Sequence, residues 1–373
     1  MKIVYLDNEM DQGGAETVAR TLMNGWRAKG HDVHLVLTYP AKKVGKLIAL
    51  EDHIPVTELN LPRAFKMVLG LPKAIKTIAA LKPDAIIINN HMALLPWAWL
   101  LKTVTRGGVF VAIHNTVNNP SRGRLFSHKF LPMYSKVISI AQAHARYCMQ
   151  AFNLRPDQIR VVHNGIEGAF EAAPEMPVAL PEGAITAAIC ARLNITKDHA
   201  NLFHAVKQVV TADDRFHLIV VGDGPESENL RALAKDLVLE DHIHFTGWTH
   251  DSQKFAILNH AQMGLLSSVD VETLPISVLE YMRAGLPVIS TLIGSLESQV
   301  LEGQNGFLVP QGDPKAMADA ILKLLRDPAM RERFGAASKA HQLEEFSIDG
   351  MLDGYLSLFE AYLPVKASQQ AVL

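Results

Sequence analysis

Two glutamates with seven residues between them, Glu272 and Glu280, stand in the stretch "VETLPISVLEYMRAGLPVIST" (271–291). The first falls in a turn-prone run with Pro275, the second in a helical pattern. A carboxylate pair at fixed spacing has three chemical uses. As a glycosidase-type acid and base, the two must face each other across a scissile bond. As metal ligands they need neighbouring histidines or aspartates, and only Asp270 is close in sequence. As a grip on a substrate, Glu280 accepts ribose hydroxyls and Glu272 holds a sugar, while backbone N–H groups around Leu274 and at the helix start meet a diphosphate.

Basic residues suited to such a diphosphate lie upstream. In "CARLNITKDHANLFHAV", Arg192 ends an apolar strand pattern and Lys197 precedes a helix. Arginine offers a planar bidentate fork and lysine a mobile point charge, a fitting pair for a pyrophosphate leaving group. The plain alternative is solvated surface. Two glycine-rich turns add weaker signals. In "DNEMDQGGAE", Gly13 and Gly14 come just before a helix, where backbone can approach an anion closely. In "VVGDGPES", Gly222 and Gly224 follow a strand, and the GxG suits a backbone passing near a base or ribose. The third glycine of a dinucleotide fingerprint is replaced by Ser227, and no P-loop motif occurs, which weighs against a dehydrogenase or P-loop enzyme.

These residues need a scaffold, and the hydropathy pattern supplies one. "KIVYLD", "HDVHLVLT", "DAIIINN", "VFVAIHN", "KVISI" and "IRVVHNG" read as strands, and helical patterns fall between them. The first is "AETVARTLMNGWRAKG", with Val18, Leu22 and Trp26 on one face and Gly30 as its stop. After residues 167–184, interrupted by Pro174, Pro177 and Pro181, a second series begins: "AITAAICARL", "FHLIVVGDG", "HIHFTGW", "MGLLSS", "LPVIST" and "NGFLVP". The expected fold is α/β, with two Rossmann-like doubly wound domains of parallel strands facing each other across a cleft. Residues 1–168 form the first, 169–184 the linker and 185–347 the second. The last helical stretch (348–363) either finishes the second domain or crosses back onto the first.

At 373 residues the chain is long enough for two cores. Its 49% apolar and 20% charged content describe a globular protein. No run of 18 apolar residues occurs, and the N-terminus turns acidic too early for a signal peptide. Cys148 and Cys190 form neither a CxxC nor a disulfide framework, which fits a reducing cytosol. Charge is unevenly divided. Residues 1–165 hold 21 Lys/Arg against 10 Asp/Glu, and the remainder holds 15 against 28. Such a basic half implies an anionic surface or ligand. DNA is not expected, because no helix-turn-helix or zinc signature accompanies the charge.

Taken in order, "GGAE", "IHN", "VVHNGIE", "ARLNITK", "VVGDGPE", "HFTGW", the E-x7-E stretch and "NGFLVP" resemble the family-4 retaining glycosyltransferases of two-Rossmann-domain (GT-B) architecture. The resemblance covers nearly the full length. It implies that Arg192 and Lys197 bind the donor diphosphate, that Glu280 holds the ribose and that Glu272 holds the hydroxyls of the transferred sugar. His114 matches a histidine near the reacting carbon, Gly14 a backbone near the phosphates, and Asn164 with Gly165 a strand end at the interdomain cleft. In this family the departing phosphate is thought to take the acceptor proton, so the glutamates hold the donor and need not act as acid and base. Some positions depart from the family pattern: Asp198 and Ala191 stand where glycine is usual, Ala141 where serine is common, and Thr-Leu-Pro-Ile-Ser follows Glu272 in place of Gly-Phe-Gly-Leu-Pro.

The expectation is therefore a retaining hexosyltransferase that moves a sugar from a nucleotide-diphosphate sugar, UDP before GDP, to a glycan or lipid-linked acceptor of bacterial-type cell-surface polysaccharide. No metal or cofactor is expected. The rivals are a sugar-nucleotide epimerase or phosphorylase and a non-catalytic binding protein. "LPRAFKMVLGLPKAIKTIAALKP" (61–83) and "SRGRLFSHKF" (121–130) mix lysine and arginine with apolar residues, which suggests a cytoplasmic protein peripheral on the inner face of an anionic membrane. The competing view places Ile75, Ile78 and Leu81 in a core, with the lysines in water. His91, after the "AIIINN" strand, is read as structural first and as an acceptor contact second.

Overall fold

The computed structural model describes residues 1–8, 10, 14–39, 54–61, 70–89, 97–114, 129–166, 175–270 and 272–364. The chain divides into two compact units, Met1–Gly165 with Ile348–Leu373, and Ile166–Ser347. Each is built on its own parallel sheet.

The first unit holds β1 (Lys2–Asp7), β2 (Asp32–Leu37), β3 (Val56–Glu58), β4 (Ala85–Asn89), β5 (Val109–Ile113), β6 (Lys136–Ser139) and β7 (Ile159–Val161), in the order β3-β2-β1-β4-β5-β6-β7. All the pairs are parallel. β4 and β5 are buried along their whole length, which is why they read as unbroken apolar runs. β3, "VTE", escaped the sequence reading because three residues with two exposed carry no periodicity. Helices α1 (Gly14–Ala28), α2 (Leu71–Leu81), α3 (Ala98–Leu101) and α4 (Gln142–Phe152) connect the strands. α1 buries Val18, Leu22 and Trp26 on one face, and Gly30 terminates the segment with φ +84°.

The second unit holds β8 (Ile185–Cys190), β9 (Phe216–Val221), β10 (Ile243–Gly247), β11 (Met263–Leu266), β12 (Val288–Thr291) and β13 (Gly306–Val309), ordered β10-β9-β8-β11-β12-β13 and all parallel. Its helices are α5 (His199–Ala212), α6 (Ser227–Asp236), α7 (Asp251–His260), α8 (Ile276–Arg283), α9 (Pro314–Arg326) and α10 (Pro328–Glu345). The strand order reverses direction between β8 and β11, which is the position where open α/β sheets offer a ligand crevice. α9 packs on α5, and the core beneath joins Phe203, Val206, Leu218, Met317 and Leu324.

The last helix, α11 (Ile348–Glu360), belongs to the first unit and packs on α1. The reason is aromatic and steric. Trp26 meets Tyr355 and Phe359 edge-on at 5.7 and 5.4 Å, and Phe110 lies 4.8 Å from Phe359. Gly25 leaves the space that Leu352 fills: a Cβ there would lie 2.5 Å from Leu352 Cδ1. Among the described residues, no helix is long and apolar enough to cross a membrane.

Candidate functional site

In the second unit, the candidate residues lie on the loops that leave the C-terminal ends of β8, β9 and β11, and Glu280 lies on α8. β8 ends at Cys190, whose N–H donates to Tyr281 Oη at 2.6 Å. Tyr281 fits there because Gly264 of β11 has no side chain; a Cβ would lie 2.3 Å from the tyrosine ring. Burial raises the Tyr281 hydroxyl well above its ordinary pKa, so it remains an uncharged acceptor for this N–H. The strand end that leads into Arg192 is thus fixed by a buried hydrogen bond.

The loop after β8 is laced to the loop after β9. Ala191 N–H donates to Val221 O, Leu193 N–H to Asp223 O and Glu226 N–H to Leu193 O. Here the two glycines find their physical reason. A Cβ at Gly222, where φ is +138°, would lie 2.1 Å from Ala191 O, and one at Gly224 would lie 2.3 Å from Leu193 O. GxG therefore lets the backbone of one loop press on that of its neighbour and holds the segment bearing Arg192. Arg192 itself is exposed and has no ion pair among the described residues.

Lys197 closes a short 3₁₀ turn, Ile195–Lys197. Asp198 follows with φ +47°, a left-handed conformation in which glycine is the usual choice. Aspartate serves because its carboxylate accepts from Asn201 N–H at 3.3 Å and caps α5. The next residue, His199, is buried. Neither of its ring nitrogens has a hydrogen-bond partner among the described residues, and burial, aided by Lys197, pushes its pKa down to about 4.

Lys197 Nζ donates to Glu272 Oε1, and Ser268 Oγ donates to the same oxygen at 2.5 Å. Two further bonds tie the loop after β11 to the turn: Ser267 Oγ to Lys197 O at 2.7 Å and Val269 N–H to Thr196 O at 2.9 Å. The Glu272 carbonyl accepts from Ser295 N–H at 3.1 Å. Gly294 (φ +61°) packs against that carbonyl so closely that a Cβ would overlap it. The segment "LIGS" that fixes the glutamate's backbone was missed in the sequence, where one isolated glycine carried no signal.

Glu280 lies in α8 and is 8% exposed, and Leu274 ahead of it is buried at 4%. Burial raises the Glu280 pKa, opposed chiefly by Lys254, whose Nζ donates to Oε1 at 2.6 Å. Lys254 on α7 also went unremarked in the sequence. The signal was a lysine beside Phe255, Ala256, Ile257 and Leu258, all four of them buried.

The remaining candidates lie in the first unit. His114 directly follows β5 and is buried at 5% exposure. Asn164 comes three residues after β7, also buried, and its Oδ1 lacks a hydrogen-bond partner among the described residues. Gly14 opens α1, and a Cβ there would meet nothing within 4 Å among the described residues. Gly13, His91, residues 62–69 and residues 121–128 lie outside the described residues.

The fold matches that of solved proteins. Over 97% of this chain and 100% of the other, the structure superposes on Anabaena HepE, solved in complex with UDP, with a TM-score of 0.83 at 19% identity. The model for glycosyl transferases group 1 matches residues 176–341, and that for glycosyltransferase family 4 matches residues 12–169. The chain belongs to the family-4 glycosyltransferases. Among curated relatives, it is 29% identical to the phosphatidyl-myo-inositol mannosyltransferase of Mycobacterium leprae over 64% of this chain and 63% of that protein. It is 24% identical to the N-acetyl-alpha-D-glucosaminyl L-malate synthase of Bacillus anthracis over 93% of each chain. With GT-B folds such as HepE it shares the two α/β units.

Proposed function

We propose that this glycosyltransferase moves a hexose from a nucleotide-diphosphate sugar to a glycan or lipid-linked acceptor, with retention of anomeric configuration and without a metal. The observation that carries the reading is the set formed by exposed Arg192 and the Lys197–Glu272 pair on the loops after β8 and β11, with buried Glu280 on α8. Cations at the strand ends offset the charge of a diphosphate leaving group, and the two carboxylates accept sugar and ribose hydroxyls. Uridine diphosphate, which HepE holds, is the working nucleotide. The names of the relatives point to acceptors of cell-envelope and small-molecule type and leave the sugar open.

Incubating the protein with a panel of UDP- and GDP-sugars, with and without EDTA, tests this reading. Transfer or donor hydrolysis that persists in EDTA, with a product of the donor's own anomeric configuration by NMR, is the expected result. An inverted product overturns retention, and activity abolished by EDTA overturns metal independence.

Docking on the cytoplasmic face of an anionic membrane belongs to the same proposal. Its support is the basic first unit, with Lys76, Lys82 and Lys102 at its surface and Trp99 60% exposed. Ile78, however, is fully buried, so the apolar face of α2 serves the core and the attraction rests on charge. Sedimentation with anionic and neutral vesicles should show binding to the anionic ones alone, weakening as salt rises. Equal recovery on both, or none on anionic vesicles, would sink it.

A further inference from the structure

Lys254 stands in α7, 26 residues before Glu280 in sequence, with its side chain only 18% exposed. Its Nζ is 2.6 Å from Glu280 Oε1 and 3.1 Å from Asp251 Oδ1 one turn back. The ammonium lies 5.0 Å from the centre of the Phe255 ring, and the Arg283 guanidinium lies over the same ring at 5.1 Å. Ordering a four-carbon lysine stem and desolvating its charge costs free energy unless a buried anion receives it. Glu280 is that anion.

We infer that Lys254 is a positioning residue for the transfer reaction: it holds the Glu280 carboxylate ionised and aimed at the donor's ribose while touching no donor atom itself. This rests on the assignment of Glu280 to the ribose under the proposed function. A ribose diol donates two hydrogen bonds, and an ionised carboxylate accepts both, whereas a protonated one spends an oxygen as a donor. The groups that face Glu280 are Lys254 and Asp251 from α7, Arg283 and Tyr281 from α8, and Cys190 from β8. Burial raises the pKa of Glu280, Lys254 opposes that most strongly, Asp251 adds to it and Arg283 opposes it more weakly. Tyr281 and Cys190 are themselves pushed up by burial, Cys190 to about 12, and stay neutral. Burial pulls the Lys254 ammonium down, but Glu280 and then Asp251 carry it above its ordinary value, so it remains charged. Without that charge, protonation of Glu280 moves toward neutral pH and ribose binding is lost from the acid side.

Calorimetric titration of UDP and of GDP into the wild type, K254M, K254R, E280Q and K254M/E280Q, from pH 5.5 to 8.5, tests the inference. K254M should weaken the bound nucleotide about 10-fold or more at pH 6 and much less at pH 8.5, one pKa unit being one decade. K254R should keep wild-type behaviour, and E280Q should be weakened at every pH. In the E280Q background, K254M should add less than about 2-fold, because coupled residues are not additive. In turnover, K254M should raise donor KM and leave saturated kcat within about 3-fold, the sign of lost ground-state binding. Should K254M fail to fold, K254Q, which keeps a donor without the charge, should show the same pH-dependent loss. Wild-type affinity in K254M, or a loss equal at all pH values and undiminished in E280Q, overturns the role of Lys254 and leaves the donor pocket standing. E280Q binding like wild type, or a wild type that binds neither nucleotide, overturns the ribose assignment, and this inference with it.

Discussion

Lys197 and Glu272, 75 residues apart in sequence, are ion-paired across the loops that leave β8 and β11. Both side chains are mostly shielded from water, 23% and 12% exposed. In the free protein, then, the lysine is already committed to a carboxylate, whereas Arg192 is exposed without an ion pair among the described residues. The two basic residues should answer differently to mutation.

Arg192→Ala should lower turnover roughly 10- to 100-fold, the loss of a charge-assisted contact of about 1.5–3 kcal/mol, with the melting temperature unchanged. Lys197→Ala should cost similar activity and also lower the melting temperature, because Glu272 loses its partner while largely buried. Kinetics and calorimetry on the two variants side by side would check this, and equal melting temperatures would refute the structural half.

Gly222→Ala should destabilise the second unit by roughly 2–4 kcal/mol, since it combines a left-sided φ with a Cβ in collision with a backbone carbonyl. Urea unfolding of the variant is the measurement. A change below about 0.5 kcal/mol, the size of an ordinary surface substitution, would mean that the two loops part easily.

Phe359→Ala should destabilise the first unit by about 3–5 kcal/mol, the cost of emptying a buried aromatic site. Trp26 and Phe110 both pack on that ring, so near-ultraviolet circular dichroism should lose their signal early in a thermal melt. An unshifted melt would show that α11 is dispensable to this unit.

Acidification should weaken both units. His144 in the first and His199 in the second are held by burial at a pKa of about 4, below the ordinary 6.5. The unfolded chain therefore binds more protons between those values, so their stabilisation is complete above about pH 6.5 and is lost as pH falls toward 4. At pH 5.5 the loss is about 1.4 kcal/mol for each histidine. His144 has a built environment, accepting or donating at Ser139 Oγ (3.0 Å) and Cys148 Sγ (3.5 Å), so His144→Gln should flatten the pH dependence while lowering stability at pH 7.5. Denaturant curves at pH 7.5 and 5.5 that coincide for the wild type would contradict the assignment.

The α/β class, twelve of the thirteen strands among the described residues and the position of Arg192, Lys197 and Glu272 near strand ends were legible in the sequence because each rests on local information. Buried parallel strands write themselves as apolar runs such as "AIIIN" and "FHLIVV", and loops at strand ends carry Arg192, Lys197 and Glu272 at short distances from those runs. β3 was lost because a short, exposed edge strand has no such signature. Partnership could not be read at all. That Glu272 pairs with Lys197 and Glu280 with Lys254, that Gly222 and Gly224 serve the backbone of residues 191–193, and that α11 packs on α1 are facts about segments 26 to more than 300 residues apart. Hydropathy and spacing record which side of an element is buried. Which distant charge, carbonyl or ring meets it there is decided only when the sheets close their cores, because that is where desolvation makes each buried group require a specific partner.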